Sequence, residues 1–230
     1  MIFQENVSLK PFNSFGIDAS ARYLARLRSI TDLQEVLDAR DALTNYNKTA
    51  PLILGGGSNL LFTKNYDGLV LKNELPGIEI IGQDDEQAFV RAGAGELWHQ
   101  LVMFCLHHNL GGMENLSLIP GSVGASPMQN IGAYGVEVKD IFFSLEAYHL
   151  EDQQFITFDN AACEFAYRES VFKRRYKNQF VITSVTFRLK KVPVLNTSYG
   201  AIQQELQRMG ITTPTIQSVS QAVINIRRSK

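Results

Sequence analysis

The chain has 230 residues, 45% hydrophobic and 20% charged, which is enough apolar material for a sizeable core and two subdomains. A formal charge of -1 gives no electrostatic footprint for nucleic acid or an anionic membrane, and no apolar run approaches a membrane span. The first residues, Met1-Ile-Phe-Gln-Glu-Asn-Val7, carry neither a basic n-region nor an apolar core, so no secretory signal is expected.

In chain order the pattern is that of a mixed α and β protein. Tyr23 to Leu27 predicts a strand. Thr31 then caps a helix in which Leu33, Val36 and Leu37 share one face, with Arg40 and Asp41 outside. Pro51 to Leu54 returns as a short buried strand, giving a compact β-α-β start. Its glycine loop leaves the strand at the C-terminal end, where open α/β sheets bind ligands. Gly68 to Lys72, Glu79 to Ile81 and Ala88 to Ala92 predict further strands. A soft boundary near Lys72 to Pro76 divides the chain into subdomains 1–72 and 73–230. Glu96 to His108 has the spacing of an amphipathic helix through Leu97, Leu101, Phe104 and Cys105. Ser144 to His149 and Gln154 to Phe158 flank Glu151-Asp152 as a hairpin, and Phe180 to Leu189 alternates as a long strand. Thr213-Pro214 opens a final helix, proline being suited to a first turn. Cys105 and Cys163 sit in apolar settings and read as buried free thiols of a reducing compartment.

Two glycine-dense stretches carry the chemistry. In Pro51-Leu-Ile-Leu-Gly-Gly-Gly-Ser-Asn59, three consecutive glycines follow the strand and free the backbone for positive φ. Successive amides there can converge into an anion nest, with Ser58 and Asn59 as side-chain donors, and a pyrophosphate is the natural occupant. No Lys-Ser/Thr pair follows the glycines, which disfavours a nucleoside triphosphate hydrolase. The second stretch, Leu118 to Glu137, sets Gly121, Gly124, Gly132 and Gly135 among Pro120, Pro127, Ser122, Ser126 and Asn130. Ile119, Val123, Met128, Ile131 and Val136 are its apolar anchors. Glycine and proline in such numbers suit neither helix nor strand interiors. Ordered glycine-rich backbone lets a flat or phosphorylated ligand approach the main chain, the alternative being a buried, turn-rich crossover. Gly93-Ala-Gly95 imitates a dinucleotide fingerprint, but Trp98 stands where the third glycine belongs, so a tight strand-to-helix turn is the better account. His99 reads as packing on its helix, and His107 and His108 face different ways, so no metal is expected.

These loops belong to a longer series: Asn13-Ser-Phe-Gly-Ile-Asp18, Leu54-Gly-Gly-Gly-Ser-Asn-Leu-Leu-Phe62, Gly93-Ala-Gly-Glu-Leu-Trp-His99, Glu114-Asn-Leu-Ser-Leu-Ile-Pro-Gly121, Gln129-Asn-Ile-Gly-Ala-Tyr-Gly135 and Tyr167-Arg-Glu-Ser-Val-Phe-Lys173. In residues and order the series resembles the UDP-N-acetylenolpyruvoylglucosamine reductases of bacterial cell-wall synthesis. The resemblance implies an α+β, two-subdomain FAD-binding fold of the p-cresol methylhydroxylase and vanillyl-alcohol oxidase type. It implies noncovalent FAD between the subdomains, its pyrophosphate on Gly55, Gly56, Gly57, Ser58 and Asn59. Pro120, Gly121, Ser122, Val123, Gly124, Ser126, Asn130, Ile131 and Gly132 would line the rest of the cofactor. It further implies NADPH as reductant, UDP-N-acetylglucosamine enolpyruvate as substrate, and a cytoplasmic monomer with neither nucleic acid nor membrane insertion.

Within that resemblance Arg168 is the catalytic residue. A fixed, planar guanidinium suits the enolate-like charge that accumulates on the substrate carboxylate after hydride transfer. The alternative is a surface ion pair with Glu164 or Glu169. Tyr199, after an apparent insertion Asn196-Thr-Ser198, resembles the tyrosine that contacts substrate and nicotinamide. Arg227 and Lys230 resemble the basic helix end that meets phosphate or substrate, though basic residues also stabilise a helix C-terminus unaided. The resembled enzymes continue past this lysine into a Gly-Ser-Phe-Phe motif whose serine protonates the reduced carbon, then a substrate domain and a catalytic glutamate. The sequence stops at Lys230, so the expectation is an incomplete form, inactive or nearly so alone. A non-catalytic FAD-binding module on the same fold is the alternative.

Overall fold

The computed structural model describes residues 2–40, 42–43 and 50–230; Asp41, placed outside the first helix above, lies outside the described residues. The first sheet holds β1 (Gln4–Ser8), β2 (Ser20–Leu27), β3 (Leu52–Leu54) and β4 (Tyr66–Asn73) in the order β1-β2-β4-β3. β1 is antiparallel to β2, whereas β2, β4 and β3 run parallel. The expected β-α-β start is therefore opened by β4, which lies between its two strands. Strand β2 is buried on both faces, as parallel strands usually are. Tyr23, Ala25 and Leu27 pack with Leu33, Val36 and Leu37 of α1 (Ile30–Arg40), and Leu24 packs oppositely with Leu9, Leu54 and Val70. The cap of α1 is Ser29 rather than Thr31. Ser29 Oγ accepts from the Asp32 amide at 3.0 Å, and the Asp32 carboxylate accepts from the Ser29 amide at 2.9 Å. This reciprocal pair satisfies two otherwise orphaned donors.

The second sheet is antiparallel and takes β5 (Ile78–Gln83), β6 (Gln87–Gly93), β9 (Phe142–His149), β10 (Phe155–Asp159) and β11 (Phe180–Lys190) in the order β10-β9-β11-β6-β5. A small ribbon, β7 (Gly132–Ala133) with β8 (Val136–Glu137), precedes β9. Helix α2 (Trp98–His107) packs into the core of this sheet, but Leu97 is exposed outside it. Trp98 takes the core position instead, edge-on to Phe187 at 5.7 Å, with its indole N–H donating to the Leu116 carbonyl at 2.9 Å. Cys105 and Cys163 are buried free thiols, both pushed up to about 12 by loss of solvent.

The chain closes with α3 (Gly200–Arg208) and α4 (Ile216–Arg228), which pack through Ile202, Leu206, Val219, Ala222 and Val223 against Tyr134. Sequence patterning did not anticipate α3. The last helix starts after Thr215 rather than at Thr213-Pro214, because Thr215 and Ser218 form the capping pair. The two sheets meet where Tyr148, Leu150 and Val181 join the α1 cluster, and Asn73 donates to the Ile182 carbonyl at 2.9 Å. Among the described residues no helix is long and apolar enough to cross a membrane.

Removing the Ser29 hydroxyl should cost about 1 kcal/mol, the usual worth of an N-cap, whereas Thr31→Ala should cost far less. Urea midpoints of Ser29→Ala and Thr31→Ala, compared at equal slope, check this; a larger loss for Thr31→Ala would return the cap to that residue.

Candidate functional site

The loop from Gly55 to Asn59 leaves the C-terminal end of β3 and faces the segment Pro120 to Ile131 across a groove. The groove consists of cavities of about 230 and 220 Å³ that share Leu52, Ile53, Gly55, Ser122 and Ala125. Together they fall in the size range of small-molecule sites. One end is apolar and aromatic, with Met128, Phe172, Tyr176, Phe180 and Ile182; the other is walled by backbone and by Ser58, Asn59, Ser126 and Gln129. Among the described residues, the amides of Gly56, Gly57, Ser58 and Asn59 donate to no protein acceptor, nor do those of Gly121 and Ser122 opposite. Two rows of unpaired N–H groups across one groove make a concavity of the kind that suits an anion. Ser126 Oγ adds a buried hydroxyl without a protein partner.

The three glycines serve different ends. Only Gly57 adopts positive φ, at +65°, and a Cβ on it would strike the Phe12 carbonyl. A Cβ on Gly56 would lie 2.8 Å from Gly121 Cα, and one on Gly55 would strike Ser122 Oγ. Close approach of the two loops, not positive φ, therefore explains Gly55 and Gly56. The same logic accounts for Gly93 and Gly95, which face the backbone of residues 74–76, as expected of a tight turn rather than a fingerprint.

The second loop begins under strain. Leu118 adopts φ +57°, in a region that costs ordinary residues on the order of 1–2 kcal/mol. It is held from both sides: its amide donates to His99 Nδ1 at 3.1 Å, and its carbonyl accepts from Arg227 Nε at 3.2 Å. His99 thus reaches across to the loop rather than merely packing on its helix. Burial, and secondarily the charge of Arg228, lower its pKa and keep the ring a neutral acceptor. Within the segment, Val123 and Gly124 are pinned by their amides to the carbonyls of Glu96 and Ala94. Gly132 belongs to β7, where its Cβ would press on Glu137.

Arg168 lies at the tip of a tight turn closed by paired bonds between Ala166 and Glu169, and its φ is +51°. Asn130, itself at φ +43° and buried, docks this turn by donating from Nδ2 to the Ala166 carbonyl while Oδ1 accepts from the Lys139 amide. Ser170 Oγ donates to the Met128 carbonyl at 2.7 Å, and Lys173 Nζ to that of Arg168 at 2.9 Å. The ion-pair alternative fails. Glu164 pairs with Arg174 and Arg175, and among the described residues Arg168 has no carboxylate partner. Its guanidinium donates instead to Gln129 Oε1 at 3.1 Å, which also accepts from Asn59 Nδ2 at 3.2 Å. One amide oxygen links the glycine loop to Arg168. Gln129 is not among the site residues expected from the sequence; its signal there is a polar residue set between the apolar anchors Met128 and Ile131.

Tyr199 caps α3 and stacks edge-on against Tyr134 at 5.3 Å. The insertion before it folds back, Asn196 donating to the Gly135 carbonyl and accepting from Asn115 at its own carbonyl. Arg227 is committed to Leu118, at the head of the groove loop, while Lys230 is exposed beyond α4.

Groove, amide rows and orphaned hydroxyl fit an elongated ligand with an aromatic part at one end and an anionic part beside the glycine loop. The comparisons agree: residues 21–156 match the FAD binding domain family. A crystal structure of UDP-N-acetylenolpyruvylglucosamine reductase (MurB) from Thermus caldophilus superposes with TM-score 0.65 at 24% identity, covering 91% of this chain and 70% of that one. Solvent-stable cholesterol oxidase follows with TM-score 0.58 at 16% identity, over 78% of this chain and 37% of that one. The molecule is an FAD-binding protein of the p-cresol methylhydroxylase and vanillyl-alcohol oxidase type. The UDP-N-acetylenolpyruvoylglucosamine reductase of Flavobacterium johnsoniae is 49% identical over 231 residues, covering 100% of this chain and 67% of that protein. The chain belongs to the UDP-N-acetylenolpyruvoylglucosamine reductase family, FAD-dependent oxidoreductases of peptidoglycan synthesis. It spans about two thirds of the length of these relatives.

Gly56→Val should lower FAD affinity at least tenfold by driving the glycine loop off Gly121, while circular dichroism stays native. Equilibrium titration checks it, and an unchanged Kd in folded protein would move the anion site elsewhere. The His99 contact makes a second, pH-dependent prediction. Because the folded pKa is lowered, the contribution is complete above the ordinary 6.5 and is lost as pH falls toward the folded value. The Tm difference between wild type and His99→Phe should therefore shrink from pH 7.5 to pH 5; a constant difference would exclude the imidazole's titration.

Proposed function

We propose that this chain holds FAD noncovalently along the groove, pyrophosphate on the amides of Gly56–Asn59, and serves reduction of UDP-N-acetylglucosamine enolpyruvate by NADPH. FAD, when bound, supplies the relay of hydride from nicotinamide to the enolpyruvyl double bond. Arg168 then meets the negative charge that develops on the substrate carboxylate. The observation that carries this role is a guanidinium with no carboxylate partner among the described residues, held beside the groove by Gln129. The left-handed turn fixes where its side chain starts, so little reorganisation is needed when charge develops. Tyr199 and Tyr134 supply an aromatic wall for nicotinamide or sugar, and Lys230 an exposed cation for phosphate. Arg227 acts through Leu118, shaping the loop that lines the cofactor. The family relation also carries the reading of a cytoplasmic monomer, and the two sheets serve as the two cofactor-binding subdomains.

Purified protein should be yellow and should release intact FAD on acid treatment. Colourless protein that takes up no FAD would sink the reading. In the FAD-loaded enzyme, Arg168→Lys should slow the transfer to substrate by about 10²-fold, since a point charge cannot replace a bidentate fork. Flavin reduction by NADPH should stay within a few-fold. Rapid mixing separates the two half-reactions, and equal slowing of both would remove Arg168 from its role.

A further inference from the structure

Lys72 interrupts the apolar run Leu69-Val70-Leu71 at the C-terminal end of β4, where a parallel strand between two others is ordinarily apolar. It is directly paired with Leu54 in the ladder, and its ammonium donates to the Gly55 carbonyl at 2.8 Å. Gly55 and Gly56 both line the groove, whereas Lys72 does not. The Gly55 carbonyl is thus held away from the groove. A peptide unit is planar and trans, so its N–H points opposite to its carbonyl. Fixing the Gly55 carbonyl on Lys72 turns the Gly56 amide toward the groove, among the unpaired donors. Charge acts in the same direction. Beside Lys72 stand Arg26, at the paired position on β2, and Glu74, which pairs with Arg26 and Arg28. Glu74 answers Arg26, so the Lys72 ammonium is the charge that meets the loop itself.

Burial lowers the Lys72 pKa, opposed by Glu74 and assisted by Arg26, so the ammonium is kept there at a cost in solvation. Packing alone would be served better by an aliphatic side chain. We propose that Lys72 is a positioning residue for the cofactor's pyrophosphate, locking the Gly55–Gly56 peptide with its N–H toward the anion and adding positive charge from behind. This rests on the reading that FAD occupies the groove, and the test separates the two.

FAD and riboflavin, which lacks the pyrophosphate, are titrated into apoprotein of wild type, Lys72→Met and Lys72→Arg. Methionine keeps the aliphatic stem and removes both charge and donor. A charge-assisted hydrogen bond is worth roughly 1.5–3 kcal/mol, so FAD affinity of Lys72→Met should fall about 10- to 100-fold. Its riboflavin affinity should stay within about twofold, and Lys72→Arg should retain most FAD affinity. Equal loss for both ligands, or unchanged FAD affinity, would overturn the proposal. If Lys72→Met does not fold, Lys72→Gln, which keeps a donor without the charge, must still lose FAD selectively over riboflavin. Wild type that binds no FAD would instead defeat the reading on which the proposal rests.

Discussion

The contact on which the site depends is the approach of Gly56 to Gly121, two backbone segments with no side chain between them. A single methyl at Gly56 would sit 2.8 Å from the opposing Cα, inside any tolerable separation. Because the loops meet at this point, their unpaired amides face a common space, and the groove has walls of fixed polarity. Conformational freedom and closeness, two separate reasons for glycine, part company at this loop. Gly57 needs the first and Gly56 the second, though they are neighbours.

Everything that orders the second loop serves that contact. Leu118 is strained, but α2 through His99 and α4 through Arg227 grip the two sides of its backbone. Ser117 and Ser220 share a buried hydrogen bond at 2.7 Å, so α4 is fastened to the same segment twice. Farther along, Asn130 uses its side chain to carry the turn of Arg168. The loop that lines the groove and the turn that presents a cation are therefore one rigid construction. Local strain at Leu118, Asn130 and Arg168 is tolerated because helices and sheet over-determine it.

Much of this was legible beforehand. Strands with regular alternation or dense β-branching, such as Phe180 to Leu189, and the apolar face of Leu33, Val36 and Leu37 are signals that tertiary structure only reinforces. The failures have physical causes. Thr31 and Thr213 are plausible caps, but Ser29 and Thr215 stand one turn position better, since each exchanges bonds with the residue three places on. The order of β2, β4 and β3 could not be read, because the pairing of parallel strands is nonlocal. Helix α3 was missed, although Ile202, Leu206 and Met209 have helical spacing, because the rest of its surface is glutamine-rich and an irregular stretch leads into it. At the site, residue types were legible and partners were not. Asn130 reads as a ligand group in sequence and spends both ends of its amide on the protein. His99, Gln129 and Lys72 reach the loops from behind or between, through partners distant in sequence that only the tertiary fold brings together.

The placement of β4 between β2 and β3 also sets an order of assembly. Among the described residues β3 has no hydrogen-bonded neighbour in the sheet except β4, so the glycine loop is not fixed until the chain has reached Asn73. β6 finds its central partner only in β11, which pairs Gly93 with Ser184. Such distant closures come late, since the entropy of the intervening chain is lost before the contact repays it. As the protein emerges from the ribosome, the glycine loop thus waits briefly for β4, whereas the opposite wall waits for α4, whose Arg227 holds Leu118. The β1–β2 and β9–β10 pairings, by contrast, are local and free to form early.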